Sequence, residues 1–252
     1  MLSQELELLK QLCKINLKEH HALDLQGLLW SIVEPLGLVA VTYVVFYPKF
    51  GSDPMSYILA LFVGISVMNF FAVSSASLGR TLVGNREIIL NSTIPVDSLI
   101  TSRISGMAAK LALRLSLWAV FAIALGQMNA SFLPLAMLLF LSCLCLTLGV
   151  CFVLAVFFCY AEDFGHIWGI IAQMIFFSSP IFYPFADLPR VTALLMLSLN
   201  PFVSILVSFQ EMLRGNWPSL PIALYAIAIG PAILFLGIRF YRRRHYSIID
   251  LI

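Results

Sequence analysis

Apolar residues along this chain come in long unbroken runs. Six of them, at 28–47, 57–78, 104–125, 132–160, 167–183 and 219–240, approach or exceed the roughly 20 apolar residues that a helix needs to cross a hydrocarbon core of about 30 Å. Strands of a transmembrane barrel would alternate apolar and polar at every second position, and these runs do not. The pattern predicts an all-α integral membrane protein with six transmembrane helices. The run at 132–160 is longer than a perpendicular crossing requires, so it should tilt or project, with Gly149 allowing close helix contact or a bend.

Two segments break the pattern in different ways. In residues 1–27, Leu2, Leu6, Leu9 and Cys13 recur at helical spacing, and Lys10, Lys14 and Lys18 form a basic stripe beside them. This predicts an amphipathic helix lying in the cytoplasmic membrane interface, its lysines toward lipid headgroups or a partner, ahead of a six-span domain over 28–252. Between spans five and six, 184–218 holds two shorter apolar patterns, 191–199 and 202–214, separated by Asn200-Pro201. Neither crosses a membrane alone. They read as two short re-entrant helices dipping into its outer half, which is tolerated where protein or a watery cavity surrounds the backbone. A plain surface loop is the alternative.

Composition agrees with the runs. The chain is 61% hydrophobic and 11% charged, where soluble domains carry about 25% charged residues. The net charge of +2 matters less than its distribution. Lys10, Lys14 and Lys18 precede span one, Arg80, Arg86 and Arg103 flank the polar loop after span two, and Arg239, Arg242, Arg243 and Arg244 lie near the end. The opposite side holds Lys49, Arg190 and Arg214. The positive-inside rule therefore puts both termini and the 84–103 loop in the cytoplasm. A seventh span over 191–214 would carry the terminal arginines outside. No cleavable signal peptide is expected before the first run.

Enzyme chemistry finds little support. There is no G-x-x-x-x-G-K-[ST], G-x-S-x-G, H-E-x-x-H or C-x-x-C pattern, so no Walker-type ATP site is expected in this chain. Cys143, Cys145, Cys151 and Cys159 share one apolar run and read as small buried hydrophobes. The four histidines fall at membrane-interface positions with no metal-ligand spacing. Glu162 and Asp163, neighbours in sequence, diverge by about 100° on a helix. They suit a turn and an N-cap for span five better than a catalytic pair.

Charges inside the runs are more informative. Glu34, Lys110 and Arg114 are costly in hydrocarbon and should face a partner or a watery cavity. Counted from the cytoplasmic ends of their spans, Glu34 and Lys110 both lie roughly 9 Å deep at about 1.5 Å per residue. A Glu34–Lys110 pair is expected, with Arg114, one turn deeper, turned toward a cavity. Snorkelling of both cations is the alternative.

In order along the chain, an amphipathic helix precedes "LQGLLWSIVEP" (25–35). A polar loop with Ile94-Pro95 follows, then "AEDF" (161–164), "SSPIFYP" (178–184) and "LNP" (199–201). This arrangement, over nearly the whole chain, resembles the type-2 ABC transporter permeases of polysaccharide and polyol-phosphate export, the family of O-antigen, capsule and teichoic-acid exporters. Where that family often has Arg-Asp at the acidic turn, this chain has Glu162-Asp163.

The resemblance implies a membrane subunit of an ATP-driven exporter of a lipid-linked polysaccharide in the bacterial cytoplasmic membrane. It implies a homodimer with two ATP-binding subunits, which would hold the ATP and magnesium; this chain would need no cofactor and bind no nucleic acid. It also implies that the loop after span two forms a coupling helix in a cleft of the ATPase. Here Asn85, Arg86 and Glu87 would be exposed, Ile88, Ile89 and Leu90 would form an apolar plug, Pro95 would end the turn, and Asp97 or Ser98 would cap the next helix. A merely hydrophilic loop is the bland reading. A conduit between two copies would be lined by aromatic rings that stack on sugar faces, with Tyr47, Tyr57, Phe70, Trp118, Phe177 and Tyr183 as candidates beside Arg114. An ABC-type exporter of a small lipid or drug would share the loop without needing a polymer-wide path. A secondary transporter would show internal repeats, and a membrane sugar transferase would need clustered loop carboxylates; neither is evident.

Overall fold

The computed structural model of the protein describes residues 25–50, 53–84, 96–160 and 164–251. Eight α-helices order them: α1 (Leu25–Phe50), α2 (Pro54–Gly84), α3 (Val96–Ala124), α4 (Leu133–Tyr160), α5 (Phe164–Phe177), α6 (Arg190–Leu199), α7 (Phe202–Leu213) and α8 (Leu220–Leu251). Short 3-10 turns, Ala130–Phe132 and Phe185–Asp187, precede α4 and α6. No strand occurs among the described residues. Helices α1, α2, α3, α4 and α8 are each long and apolar enough to cross a membrane; α6 and α7 qualify only as a pair bent by 119°. The protein is an all-α, multi-pass integral membrane protein.

Local chemistry sets the helix ends. Pro54 suits the first position of α2, where its missing N–H costs nothing, and Asp53 caps the helix by accepting the Ser56 N–H at 2.8 Å. That hydrogen bond, on an exposed group, also holds the Asp53 carboxyl below its ordinary range. Helix α3 stops at Gly126, whose φ of +70° few other residues adopt readily. Its N–H reaches Ile123 O at 3.0 Å while Gln127 N–H reaches Ala122 O at 2.8 Å, the paired bonds of a Schellman end.

The fifth predicted span is shorter than its apolar run. Helix α5 ends at Phe177, not near Tyr183, and with 14 residues it is about 21 Å long. Pro180 is the cause: it has no N–H to donate and disfavours helical geometry at Ser179. A non-helical stretch, broken by the 3-10 turn, carries the chain onward to α6.

Helix α2 is the axis of the bundle, packed against α1, α3, α4, α5 and α7. Leu61, Ile65, Met68 and Phe71 on it are fully enclosed. Helices α4 and α8 form the most extensive single helix pair, and the two backbones all but touch. A Cβ placed on Gly149 of α4 would lie 2.5 Å from the Ile233 carbonyl oxygen of α8, and one on Gly237 would strike Gly149 in return. In the same seam Ser142 donates to Ala226 O at 2.5 Å and accepts the Gly230 N–H at 3.2 Å. Its hydroxyl thus sits within the hydrogen-bond ladder of α8 just before Pro231, where that ladder is already interrupted.

Several predicted features lie outside the described residues. These are the interface helix with Lys10, Lys14 and Lys18, the loop residues Asn85 to Leu90 and Pro95, and the turn with Glu162 and Asp163. Of the coupling residues, Asp97 alone falls within them, in the first turn of α3.

Candidate functional site

Among the six predicted spans the sequence holds two side-chain amides, Asn69 in span two and Gln173 in span five. The fold brings both to one place. They line a groove of about 550 Å³ among α1, α2 and α5, walled by Leu38, Met68, Ala72 and Phe176. Gly169, one turn from Gln173 on α5, forms part of the wall, and a Cβ built there meets nothing within 4 Å. The groove is open, not a packing defect.

A carboxylate joins the amides. Asn69 Nδ2 donates to Glu34 Oε1 at 3.2 Å, tying α2 to α1 at the level of the groove. Glu34 Oε2 lies 3.7 Å from Arg114 Nη2. The side chain of Arg114 is only 8% exposed and that of Glu34 is 58% exposed. The predicted Glu34–Lys110 pair is therefore corrected: the ion pair is Glu34–Arg114, one turn further along α3 than Lys110. Equal depth counted from the ends of apolar runs does not translate into equal height, because α1 and α3 extend beyond those runs by different amounts. Arg114 itself is buried. It is packed inward, where a guanidinium is tolerated because a carboxylate meets it.

The aromatic candidates separate in the same way. Trp118 is buried, donates its indole N–H to Leu59 O at 3.0 Å and meets the Phe209 ring edge-on at 5.3 Å, joining α3 to α2 and α7. Tyr57 is buried with its hydroxyl donated to Phe182 O at 2.7 Å, and Phe70 belongs to the core. These three side chains tie helices together inside the chain, and Tyr57 and Trp118 also border open cavities. Tyr47 is half-buried and stacks on Tyr43 at 4.6 Å. Tyr183 is half-buried as well. Phe177, beside the groove residue Phe176, is 67% exposed.

Two motifs that are separate in the sequence prove to be one joint. Buried Asn200, between α6 and α7, directs Nδ2 to Ile175 O at 3.0 Å, Ser178 Oγ at 3.0 Å and Ser179 Oγ at 2.9 Å. Its Oδ1 accepts the Phe202 N–H at 3.0 Å and so starts α7. Gln210 of α7 adds a second clasp, donating to Pro180 O at 2.6 Å. One amide thus links the end of α5, where carbonyls lose their helical partners, to the break between the short helices. Reading the sequence did not reveal this. Neither did it single out Asn69 and Gln173, although their being the sole amides in the predicted spans was a usable signal.

No protein-family profile matches the chain. It is 27% identical over 206 residues to the O-antigen export system permease protein RfbA of Myxococcus xanthus, covering 81% of this chain and 79% of that protein. Two proteins of the same name from Klebsiella pneumoniae are 19% and 20% identical over 211 and 230 residues, each covering 83% of this chain and 81% of the relative. Over most of its length the chain is thus similar to O-antigen export system permeases, in agreement with the type-2 ABC export permeases that its motifs resemble.

Proposed function

We propose that this chain is the transport subunit of an ATP-driven exporter that moves a lipid-linked polysaccharide across the bacterial cytoplasmic membrane. It works as a homodimer with two ATP-binding subunits, which supply all nucleotide chemistry, and both termini lie in the cytoplasm. Residues 84–97 engage the ATPase, so that closure of the nucleotide subunits moves α2 and α3. The relatives named for O-antigen export support the substrate class.

One observation carries the reading. Asn69 and Gln173 line the open groove among α1, α2 and α5, and Glu34 accepts from Asn69 beside it. Polar side chains facing acyl chains are costly, so such a face is used against a second copy or a watery path. With Phe176 and Phe177 alongside, it offers amides for sugar hydroxyls and rings for sugar faces. The test is Asn69→Leu/Gln173→Leu, assayed for polymer at the cell surface and for folded yield. Surface polymer should fall at least tenfold at unchanged yield; normal export would remove the groove from the path. Arg86→Glu or Ile89→Asp should abolish co-purification with the ATP-binding subunit, and normal recovery of the complex would remove the coupling assignment.

A further inference from the structure

A second cavity, of about 260 Å³, opens where α1 passes into α2 and α7 ends. Its lining comes from three separate segments and includes Phe50, Asp53, Tyr57, Tyr183, Gln210 and Arg214. At about 1.5 Å per residue, Arg242 on α8 lies roughly 30 Å away along that helix. The cavity therefore belongs to the end of the bundle remote from the arginine cluster.

Some of its polar groups are committed to structure. Tyr57 donates to Phe182 O at 2.7 Å, and Gln210 spans Pro180 O and the Phe185 N–H at 2.6 and 3.4 Å. Others keep capacity. Asp53 accepts the Ser56 N–H at Oδ2, and hydrogen bonds from Ser56 and Met55 favour its ionised form, whose two oxygens can accept further donors. Arg214 uses Nη1 for Glu211 at 3.1 Å and retains further N–H groups. The Phe50 and Tyr183 rings stand 6.4 Å apart at 60°, and Lys49 lies 5.1 Å over the Phe50 ring. Of the charged residues, Arg214 and Asp53 line the cavity with opposite signs, Glu211 being paired with Arg214 and Lys49 lying against Phe50. The volume, just under the roughly 300 Å³ of the smallest usual ligand pockets, suits one small ring.

We infer that this cavity is a subsite for one uncharged sugar ring of the exported polymer at the outer mouth, stacked on Tyr183 and hydrogen-bonded by Asp53 and Arg214; the inference rests on the export reading above. Sugar hydroxyls can donate to a carboxylate and accept from a guanidinium at once, and the C–H face of the ring covers an aromatic surface. A phosphate-bearing polymer finds no net positive charge here and meets Asp53 with like charge. The subsite therefore selects neutral glycans over polyol-phosphate chains.

The experiment is saturation-transfer NMR on the full chain with its ATP-binding partner in nanodiscs. The probes are neutral oligosaccharides released by mild acid from the host's surface polysaccharide, and a glycerol-phosphate trimer. Ring protons of the neutral probes should take up saturation, at least fivefold less with Tyr183→Leu and severalfold less with Arg214→Gln, while Tyr183→Phe keeps the signal. Arg214 is exposed, so its variant reports even where Tyr183→Leu folds poorly. Equal signals in wild type and Arg214→Gln, stronger transfer to the glycerol-phosphate trimer, or no transfer to the neutral probes would overturn the subsite. A strain lacking this chain separates the two readings. Normal surface polysaccharide there sinks the export reading; loss of polysaccharide without the transfer pattern sinks the subsite alone.

Discussion

The seam between α4 and α8 and the groove among α1, α2 and α5 treat polar atoms in opposite ways. In the seam, Ser142 both donates and accepts within 3.2 Å, and glycines let two backbones meet. In the groove, Gln173 is exposed, Asn69 is half-buried, and a carboxylate 58% exposed sits beside them. Close packing is what helices use to associate where lipid removes the hydrophobic drive between them. Polar atoms that such packing does not absorb are what the proposed export reading would use. The seam is closed and the groove is open.

Four substitutions test that contrast. Gly149→Leu should have the largest effect, because the new side chain meets backbone atoms that cannot turn aside. Overpacking of a good core costs about 1–3 kcal/mol and occasionally more. With two helix backbones in the way, yield of monodisperse protein should collapse, and a normal melting curve in detergent would refute the seam. Asn200→Ala comes next. It leaves the α5 end and the two serine hydroxyls without their donor, at about 1–3 kcal/mol for a buried group left unpaired. A lowered melting temperature together with faster proteolysis near 178–189 is expected.

Glu34→Gln should cost less than the roughly 3–5 kcal/mol of a fully buried pair, since Glu34 is half in the open. A double-mutant cycle with Arg114→Met should show coupling, and one with Lys110→Met much less. The reverse ranking would restore the Lys110 pairing. The smallest effect on stability belongs to Gly169→Leu, within about 0.5 kcal/mol as for an unconstrained surface site. Even so, by filling the groove it should cut surface polymer severalfold. The two glycine changes are the same chemistry on two helices. If both unfold the protein, or both leave export intact, the distinction between seam and groove fails.

Much of this molecule can be read from its residues, because long apolar runs admit few structures in a membrane. The helices sit where hydrophobicity puts them, and the break at Asn200-Pro201 falls between α6 and α7 as expected. What could not be read was anything that depends on rotation or height of one helix against another. Helix periodicity says that Lys110 and Arg114 share a face, but which of them meets Glu34 is decided by tertiary packing. Aromatic type likewise says nothing of direction: Trp118 faces α2 and α7, while Phe177, as good a stacking residue, points away from the core. The end of α5 was available in principle from Pro180, whose backbone rule competes with an apolar run that continues past it.

The bend at Asn200-Pro201 has a consequence for biogenesis. Insertion machinery weighs the hydrophobicity of a segment, and α6 with α7, joined straight, would pass as a single crossing of about 36 Å. On the proposed topology the 119° break returns the chain toward the side it came from, so that α8 would enter with its arginines trailing into the cytoplasm. In that topology two residues would set the parity of the whole polypeptide. A drift to Leu-Leu at 200–201 would create a topological mutant that is still hydrophobic, still helical, and threaded the wrong way round from residue 214 onward. Selection against such a drift would act while the ribosome is still translating, before the protein has done any work.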